Sequence, residues 1–399
     1  MTETATAEVR LGQSSARALD GGLPDMKIEE VESHIFGNLH FIRIHTDRGV
    51  DGLGQSACWA YPEAVAAVVD TFRPYLLGQN PLQTERHWHH LYRMGPFRGS
   101  ILGAALSAID IALWDIKGRH LGVPVWELLG GRYRDRLRLH LLLTDGSDHV
   151  GSALWAVDEG FTAVKFNPLP SNYYNLPLSQ VIKTTHDIVA EVRSAVGSEI
   201  DIILELQRSL TPLYAYPLMD ALRPFRPLFI EDPIQIDSIT SQAEIGKAAG
   251  LPTANGERLN TIWEFRELLA QGGSQYLRAD VGLAGGISHG KKIAALAESY
   301  HSAVVWHSWL GPVITAASAS IGASTPNFLT QEYHIPTEEG KYSNGFRSAF
   351  KRQGGELVIP DTPGLGVEMD AEHIGDMNLL GRPLHAVPIR EDGSVAFAV

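Results

Sequence analysis

Three glutamates end three short apolar segments at equal intervals of 26 residues, and this repeat restricts the fold more than any other feature. The segments span residues 202–205, 228–231 and 252–257, and they end in Glu205, Glu231 and Glu257. A short apolar run is typical of a strand buried on both faces, and the interval leaves room for one return helix. Three parallel strands would carry their carboxylates at the same end of one sheet.

Ionisable residues extend this pattern in both directions along the chain. Asp280, His307 and Glu332 close three later apolar runs, and Lys165 closes an earlier one. Successive strands with an ionisable residue at the C-terminal tip predict a (β/α)₈ barrel, because the active site of that fold lies at this face. Catalysis is therefore the expected function.

The chain is about 100 residues longer than a typical barrel, which predicts a second domain. Residues 1–24, rich in Ala, Thr, Ser and Gly, are expected to form a flexible tail. Alternating strand patterns followed by helical periodicity predict an α+β capping domain over 25–140, ahead of a barrel over 141–350. Residues 351–399 resume turn-and-strand patterns and are expected to return to the cap and complete it.

The composition excludes several classes of function. The net charge of −13 and the pI near 5.6 argue against nucleic-acid and membrane surfaces, which require basic patches. The sequence contains neither a long apolar span nor a basic-then-apolar leader pattern, so we expect a cytoplasmic protein with a small-molecule substrate. A single cysteine, Cys58, permits no intrachain disulfide.

The three glutamates predict a metal site. Carboxylates that converge in one pocket repel each other and take up protons unless a cation neutralises them. An all-oxygen ligand set without Cys or His suits Mg²⁺, and Mn²⁺ is a possible substitute. The alternative is that each glutamate pairs with a basic residue such as Arg258 or Arg278.

His307 is the candidate general base. A metal-bound carboxylate substrate has an acidified α-proton, and an imidazole at a strand tip is suited to remove it. Asp280, one strand earlier, would hold the other ring nitrogen. The alternative is a buried histidine that a backbone carbonyl satisfies.

Motifs in both domains resemble a known family. They span residues 107–118 and 124–131 in the cap, and 229–233, 256–258, 285–287 and 307–312 in the barrel. The chain resembles the mandelate racemase subgroup of the enolase superfamily, and within it the sugar-acid dehydratases of the galactonate dehydratase type. The resemblance runs from about residue 26 to the C-terminus, and it implies a homo-oligomeric enzyme.

The resemblance also implies roles for individual residues. Glu205, Glu231 and Glu257 would bind Mg²⁺, and Asp280 with His307 would form the base dyad. Glu332 would hydrogen-bond a substrate carboxylate oxygen, as its protonated acid or through a water. A short loop over residues 95–100 would close over the substrate, where Arg98 could contact distal hydroxyls or a carboxylate.

Two departures from the family pattern bear on the reaction. Many relatives carry a second lysine base after Lys165, but this chain has Asn167, which cannot take a proton and so disfavours a racemase. Galactonate-type enzymes carry this asparagine, and Lys165 would then bind the substrate carboxylate. Those enzymes also place an acid histidine two residues after the first metal ligand, whereas this chain has Gln207, which cannot donate a proton.

Either another group expels the water, or His307 serves twice when base and leaving group lie on the same face, or the reaction involves no such departure. The interval of 40 residues between Lys165 and Glu205 includes an inserted loop at 168–177, which is expected to lie over the active site. Its Tyr173 and Tyr174 are candidate acids, or they pack against the cap. Arg208 could instead bind a hydroxyl or carboxylate as a fixed cation.

Three hypotheses follow. The first is dehydration of an aldonate-like sugar acid to a 2-keto-3-deoxy acid. The second is a cycloisomerase of a sugar-acid lactone or anhydro sugar acid, which needs less help from an acid. The third is a catalytically inactive relative that binds a ligand.

Overall fold

The computed structural model describes residues 25–340, 343–370 and 387–396, so the tail expected over 1–24 lies outside the described residues. The capping domain begins with an antiparallel sheet in the order β1-β2-β3, followed by helices that pack on it. The elements are β1 (Ile28–Phe36), β2 (Leu39–Thr46), β3 (Gly52–Ser56), α1 (Pro62–Leu76), α2 (Thr84–Arg93), α3 (Ser100–Leu121) and α4 (Val125–Leu128).

Eight parallel strands form a closed barrel, because the last strand, β11, pairs with the first, β4. The strands are β4 (Arg136–Leu142), β5 (Ala163–Phe166), β6 (Asp201–Glu205), β7 (Phe229–Glu231), β8 (Thr253–Asn255), β9 (Tyr276–Leu277), β10 (Ala303–Trp306) and β11 (Phe328–Tyr333). The intervening helices are α5 (His149–Asp158), α6 (Leu178–Val196), α7 (Pro212–Leu222), α8 (Ile239–Ala248), α9 (Ile262–Ala270), α10 (Gly286–Ser299) and α11 (Pro312–Ala323). This architecture confirms the predicted (β/α)₈ barrel with an N-terminal cap.

The C-terminal part of the chain contacts both domains. The elements after the barrel are α12 (Ile335–Glu338), β12 (Phe346–Ser348), β13 (Lys351–Gln353), β14 (Glu356–Val358) and β15 (Val367–Met369). The β13–β14 hairpin first adds antiparallel to β4, and the chain then reaches the cap, where Leu365 N donates to Asp115 Oδ1 at 2.8 Å. Residues 371–386 and 397–399 of the expected return segment lie outside the described residues.

The domain boundaries in the structure differ from those expected from the sequence at two points. The first barrel strand begins at Arg136, a few residues before the expected boundary at 141, because Arg136 and Arg138 interrupt the apolar pattern of β4. Residues 351–358 extend the barrel sheet before the return to the cap begins. No helix among the described residues is both long and apolar enough to span a bilayer.

Helix α3 joins the cap to the barrel face that carries the predicted dyad. Ser107 Oγ accepts the backbone N–H groups of Gly285 and Gly286 at 2.8 and 3.1 Å. Asp110 accepts both the backbone N–H and the hydroxyl of Ser288, at 2.9 and 2.6 Å. These residues therefore cap the N-terminus of α10 from another domain, and they fix the loop that follows β9.

Close packing of β3 on α3 gives a stability prediction. A Cβ atom at Gly54 would lie 1.9 Å from the carbonyl oxygen of Ala108. Because the backbone of α3 would have to move, we expect Gly54→Ala to lower the free energy of unfolding by about 3 kcal/mol. Urea denaturation measures the change, with Gly95→Ala as the control, since a Cβ there meets nothing within 4 Å. Equal stability of the two variants would contradict this packing.

Candidate active site

Glu205, Glu231 and Glu257 converge at the C-terminal end of the barrel. Glu205 and Glu231 are register partners at the tips of β6 and β7, and Glu257 follows β8 by two residues. One carboxylate oxygen from each residue lies within 4.8 Å of the other two, and all three side chains are buried. The structure thus brings together the three carboxylates that the sequence repeat predicted.

This trio fits a divalent cation. Oxygen ligands of Mg²⁺ lie about 2.1 Å from the ion, so two of them are at most about 4.2 Å apart. Small rotations would therefore bring the three oxygens into a coordination sphere. Glu231 Oε2 is buried without a hydrogen-bond partner, and a bound cation would satisfy this orphaned oxygen.

Two buried cations also contact these carboxylates. Lys165 Nζ lies 3.1 Å from Glu205 Oε2 and 3.0 Å from Glu231 Oε1, and it pairs with Glu332. Arg278 Nε lies 2.6 Å from Glu231 Oε1, and its Nη2 lies 2.7 Å from Glu332 Oε2. The glutamates therefore do pair with basic residues, which was the alternative to a metal site. Glu231 Oε2 nevertheless stays without a partner.

A count of formal charges shows that the basic residues do not neutralise the site. The carboxylates of the contact network are Glu205, Glu231, Asp232, Glu257, Asp280 and Glu332, and the permanent cations are Lys165, Arg208, Arg258 and Arg278. Six negative and four positive charges leave two negative charges. One divalent cation would balance them while His307 stays neutral.

Burial and neighbouring charges shift the pKa values of Glu231 and Glu257 in opposite directions. Burial raises the pKa of Glu231 to about 8, although Arg278 and Lys165 act in the opposite direction. Burial also acts to raise the pKa of Glu257, but Arg208 and Arg258 outweigh it and hold that pKa well below its usual range. Of these two carboxyls, Glu231 is the one whose charged form burial disfavours more than its neighbouring cations compensate.

His307 and Asp280 form a close pair. His307 Nδ1 lies 2.5 Å from Asp280 Oδ2, and the other oxygen of Asp280 accepts Gly282 N–H at 2.7 Å. The second ring nitrogen, Nε2, lies 3.3 Å from Glu257 Oε2. Both ring nitrogens face carboxylates, so this histidine is not one that a backbone carbonyl satisfies. Burial lowers the pKa of His307, but the surrounding carboxylates outweigh it and raise the pKa overall.

Glu332 is held as an anion. It accepts Ser308 N–H at 3.0 Å and contacts Arg278 and Lys165. Burial acts to raise the pKa of its carboxyl, but Arg278, Lys165 and His307 hold it well below its usual range. These neighbours favour the ionised form, which suits the expected contact through a water rather than the one as a protonated acid.

These groups lie at the base of a cavity of about 480 Å³. Glu231 and Asp280 lie beneath its surface and do not line it. The residues expected from the sequence that line it are Lys165, Asn167, Glu205, Gln207, Arg208, Glu257, His307 and Glu332. Further lining side chains include Trp59, His149, Arg258, Trp309 and His334.

The side-chain amides of Asn167 and Gln207 and the guanidinium of Arg208 lie across the barrel from His307. Asn167 Nδ2 donates to Gln207 Oε1 at 3.1 Å, and neither amide can transfer a proton. Arg208 Nη1 lies 3.0 Å from Asp232 Oδ2 and also contacts Glu257. Gln207 and Arg208 have φ angles of 47° and 61°, so the backbone here is held in a strained left-handed conformation.

Three predicted substrate contacts lie outside this cavity. Tyr173 hydrogen-bonds Ser209 in the loop after β6, and the backbone carbonyl of Tyr174 accepts from Arg390 Nε of the C-terminal segment at 3.3 Å. Arg98 donates to the carbonyls of Gly95 and Phe97, and its guanidinium lies 4.0 Å from the ring centre of Tyr92. It lines a neighbouring cavity of about 460 Å³ that shares Trp59 and Arg258 with the first.

The strand pattern offered a signal for two site residues, Arg278, which was expected only as a partner of the glutamates, and His334, which was missed. Arg278 precedes Asp280 by two positions and His334 follows Glu332 by two, so each shares a strand face with a predicted residue. Trp59 comes from the cap and has no comparable signal, because its approach to the barrel depends on domain packing.

Comparisons with known proteins match this architecture. Residues 31–130 match the mandelate racemase / muconate lactonizing enzyme N-terminal domain, and residues 150–373 match the enolase C-terminal domain-like family. The D-galactonate dehydratase of Ralstonia nicotianae is 36% identical over 341 residues, which cover 83% of this chain and 88% of that protein.

Two solved structures are similar as well. An enolase from Agrobacterium radiobacter with bound sodium and L-malate has a TM-score of 0.87 at 28% identity, and the match covers 93% of this chain and 100% of that one. The 3,6-anhydro-D-galactonate cycloisomerase of Zobellia galactanivorans has a TM-score of 0.78 at 26% identity, with 88% and 98% covered.

Proposed function

The chain belongs to the mandelate racemase and muconate lactonizing enzyme family of the enolase superfamily, and we propose that it is a Mg²⁺-dependent dehydratase of a sugar acid. The family membership confirms the resemblance predicted from the motifs. The D-galactonate dehydratases among its relatives support a hydro-lyase. The observation that carries the proposal is a buried carboxylate trio beside a histidine–aspartate pair in one cavity.

Glu205, Glu231 and Glu257 would hold the metal ion, and their oxygen-only set suits Mg²⁺ or Mn²⁺. When bound, the ion would supply positive charge that stabilises the negative charge developing on the substrate carboxylate as the α-proton leaves. Lys165, a buried ammonium at the rim of the same trio, would add a second positive charge for that carboxylate. Substrate binding would thus depend on placed cations in a protein that is acidic overall.

His307 would remove the C2 proton. Asp280 fixes the imidazole through Nδ1, so Nε2 is the nitrogen that faces the ligands. The electrons of the C2–H bond form the C2–C3 double bond, and the C3 hydroxyl takes up a proton and leaves as water. The resulting enol takes a proton at C3 and loses its hydroxyl proton, which gives a 2-keto-3-deoxy acid.

The cycloisomerase remains a second candidate because of one observation. Asn167 and Gln207 bond to each other across the barrel from His307, and neither can protonate a leaving group. Opening of an internal ring in an anhydro sugar acid or lactone makes less demand on an acid. The third possibility, an inactive ligand-binding relative, has no support in a site where the trio and the dyad are both complete.

Incubation with Mg²⁺ and a library of sugar acids tests the proposal. We expect a 2-keto-3-deoxy product from an open-chain aldonate. Product from lactones or anhydro acids alone would favour the cycloisomerase. Deuterium exchange at C2 without any product would show enolisation of a ligand that has the wrong leaving group.

Removal of divalent metal is expected to lower product formation by at least about 100-fold, because the charge that stabilises the transition state is lost. The measurement is the rate after dialysis against EDTA, followed by addition of Mg²⁺ or Mn²⁺. Restored activity with either ion is the expected result. Full activity of the dialysed protein, with metal content verified by mass spectrometry, would contradict a metal-dependent reaction.

A further inference from the structure

Water loss from C3 needs a proton donor, and the cavity contains two titratable side chains that have no role so far. Lys165, Arg208, Arg258 and the carboxylates of the lining are committed to ion pairs, and His307 is paired with Asp280. Among the described residues that line the cavity, His149 and His334 are left.

His334 is held in one orientation. Its Nδ1 lies 3.1 Å from Thr337 Oγ1, and the Thr337 hydroxyl donates to the Trp309 carbonyl at 2.7 Å. Because the Thr337 proton is used in that bond, its oxygen accepts from His334 Nδ1–H. Nε2 is then the nitrogen available to a ligand in the cavity, and the neighbouring Trp309 ring packs edge-on at 6.3 Å.

The position of His334 places it near the reacting groups. It follows β11 by one residue and Glu332 by two, and β11 pairs with β10, which leads into His307. The two imidazoles therefore come from neighbouring strands and line the same cavity. A histidine with one nitrogen held by a partner and the other facing the ligand can act as a general acid when both nitrogens are protonated. Burial lowers the pKa of His334, and the negative charge of Glu332 acts in the opposite direction.

His149 is less suited to this role. It is the first residue of α5, where the positive end of the helix dipole disfavours an imidazolium. Its Nδ1 is buried without a hydrogen-bond partner, so no bond fixes the ring. It serves better as a comparison variant.

We propose that His334 is the general acid that protonates the departing C3 hydroxyl, an inference that rests on the proposed dehydration. As the C3–O bond breaks, the Nε2 proton of the His334 imidazolium passes to the leaving oxygen and completes a water molecule. His307 holds the C2 proton and returns it to C3. The proton lost from the enol hydroxyl restores the His334 imidazolium, so the cycle closes without an external reagent.

Two substrates separate this role from a structural one. D-galactonate loses hydroxide, which needs a proton, whereas 3-deoxy-3-fluoro-D-galactonate loses fluoride as a stable anion. We expect His334→Gln to lower kcat for water loss about 100-fold and to leave fluoride release within about three-fold of the wild type. Deuterium exchange at C2 should persist in the variant, because His307 is intact.

His149→Gln is the matched comparison. It should change the rate of water loss from D-galactonate and the rate of fluoride loss from the fluoro compound by the same factor. Equal losses of water and fluoride release in His334→Gln would overturn the acid role, and so would unchanged rates of both. A wild-type protein that acts on neither compound would rule out D-galactonate as its substrate, and a measurement without turnover would then decide the role of His334.

A measurement without turnover tests the same arrangement. In protein labelled with ¹⁵N-histidine, the His334 signals, assigned by their loss in His334→Gln, should show a protonated Nδ1. Thr337→Val should shift this signal, because the partner of Nδ1 is removed. An unprotonated Nδ1 in the wild type would overturn the proposal whatever the substrate.

Discussion

Replacement of His307 by Asn is expected to lower both C2 hydrogen exchange and product formation by about 10⁴-fold. The Asn side chain can still donate a hydrogen bond toward Asp280, so the buried carboxylate keeps a partner. It cannot take up a proton at neutral pH. The loss should therefore fall on proton transfer rather than on folding, and proton NMR of the substrate in D₂O measures it directly.

His301→Asn is a matched control for this experiment. His301 is exposed between α10 and β10, away from the cavity, and its φ of 57° is a conformation that Asn tolerates. The control should retain the wild-type exchange rate. Exchange that continues in His307→Asn at more than one tenth of that rate would remove His307 as the carbon base.

The sequence predicts the dyad and the metal trio for a simple physical reason. Parallel strands of one barrel end at the same face, so ionisable residues at strand tips must converge wherever their side chains point inward. Glu205 and Glu231, as register partners, follow this rule directly. Nothing more than the strand period was needed to place them together.

The electrostatic partners could not be assigned in the same way. Arg278 could have paired outward or inward, and its contact with Glu231 and Glu332 depends on how three strands are spaced across the barrel. The contact with Arg278 also lowers the pKa of Glu332 and so favours its ionised form. Charge balance in a buried site is a property of the whole network, so single positions do not reveal it.

Loop residues were the least predictable. Arg98, Tyr173 and Tyr174 have suitable chemistry, but the Arg98 side chain bonds to its own loop, the Tyr173 side chain bonds to Ser209, and the Tyr174 backbone carbonyl bonds to the C-terminal segment. Loop conformation depends on many weak local contacts, so chemical type alone does not place a side chain in a site. His334, which continues the face of a strand, was predictable in principle from the position of Glu332 two residues earlier.

Replacement of Glu231 by Gln is expected to weaken Mg²⁺ binding by about 100-fold or more and to lower turnover by about 10³-fold. Glu231 provides the orphaned oxygen Oε2 at the centre of the trio, and the amide removes its charge while it preserves the side-chain shape. Isothermal titration with Mg²⁺ measures the affinity, and Glu298→Gln on the exposed face of α10 is the control.

The same variant separates a metal site from a set of structural ion pairs. If Glu231 served only to pair with Lys165 and Arg278, its replacement would leave two buried cations with one carboxylate fewer and would cost about 3 kcal/mol of folding free energy. The wild-type protein would then bind Mg²⁺ no better than the variant. We expect the opposite result: a large loss of Mg²⁺ affinity with a smaller change in stability, because the formal charge of the network shows an excess of two negative charges that the protein's own cations leave for a divalent ion.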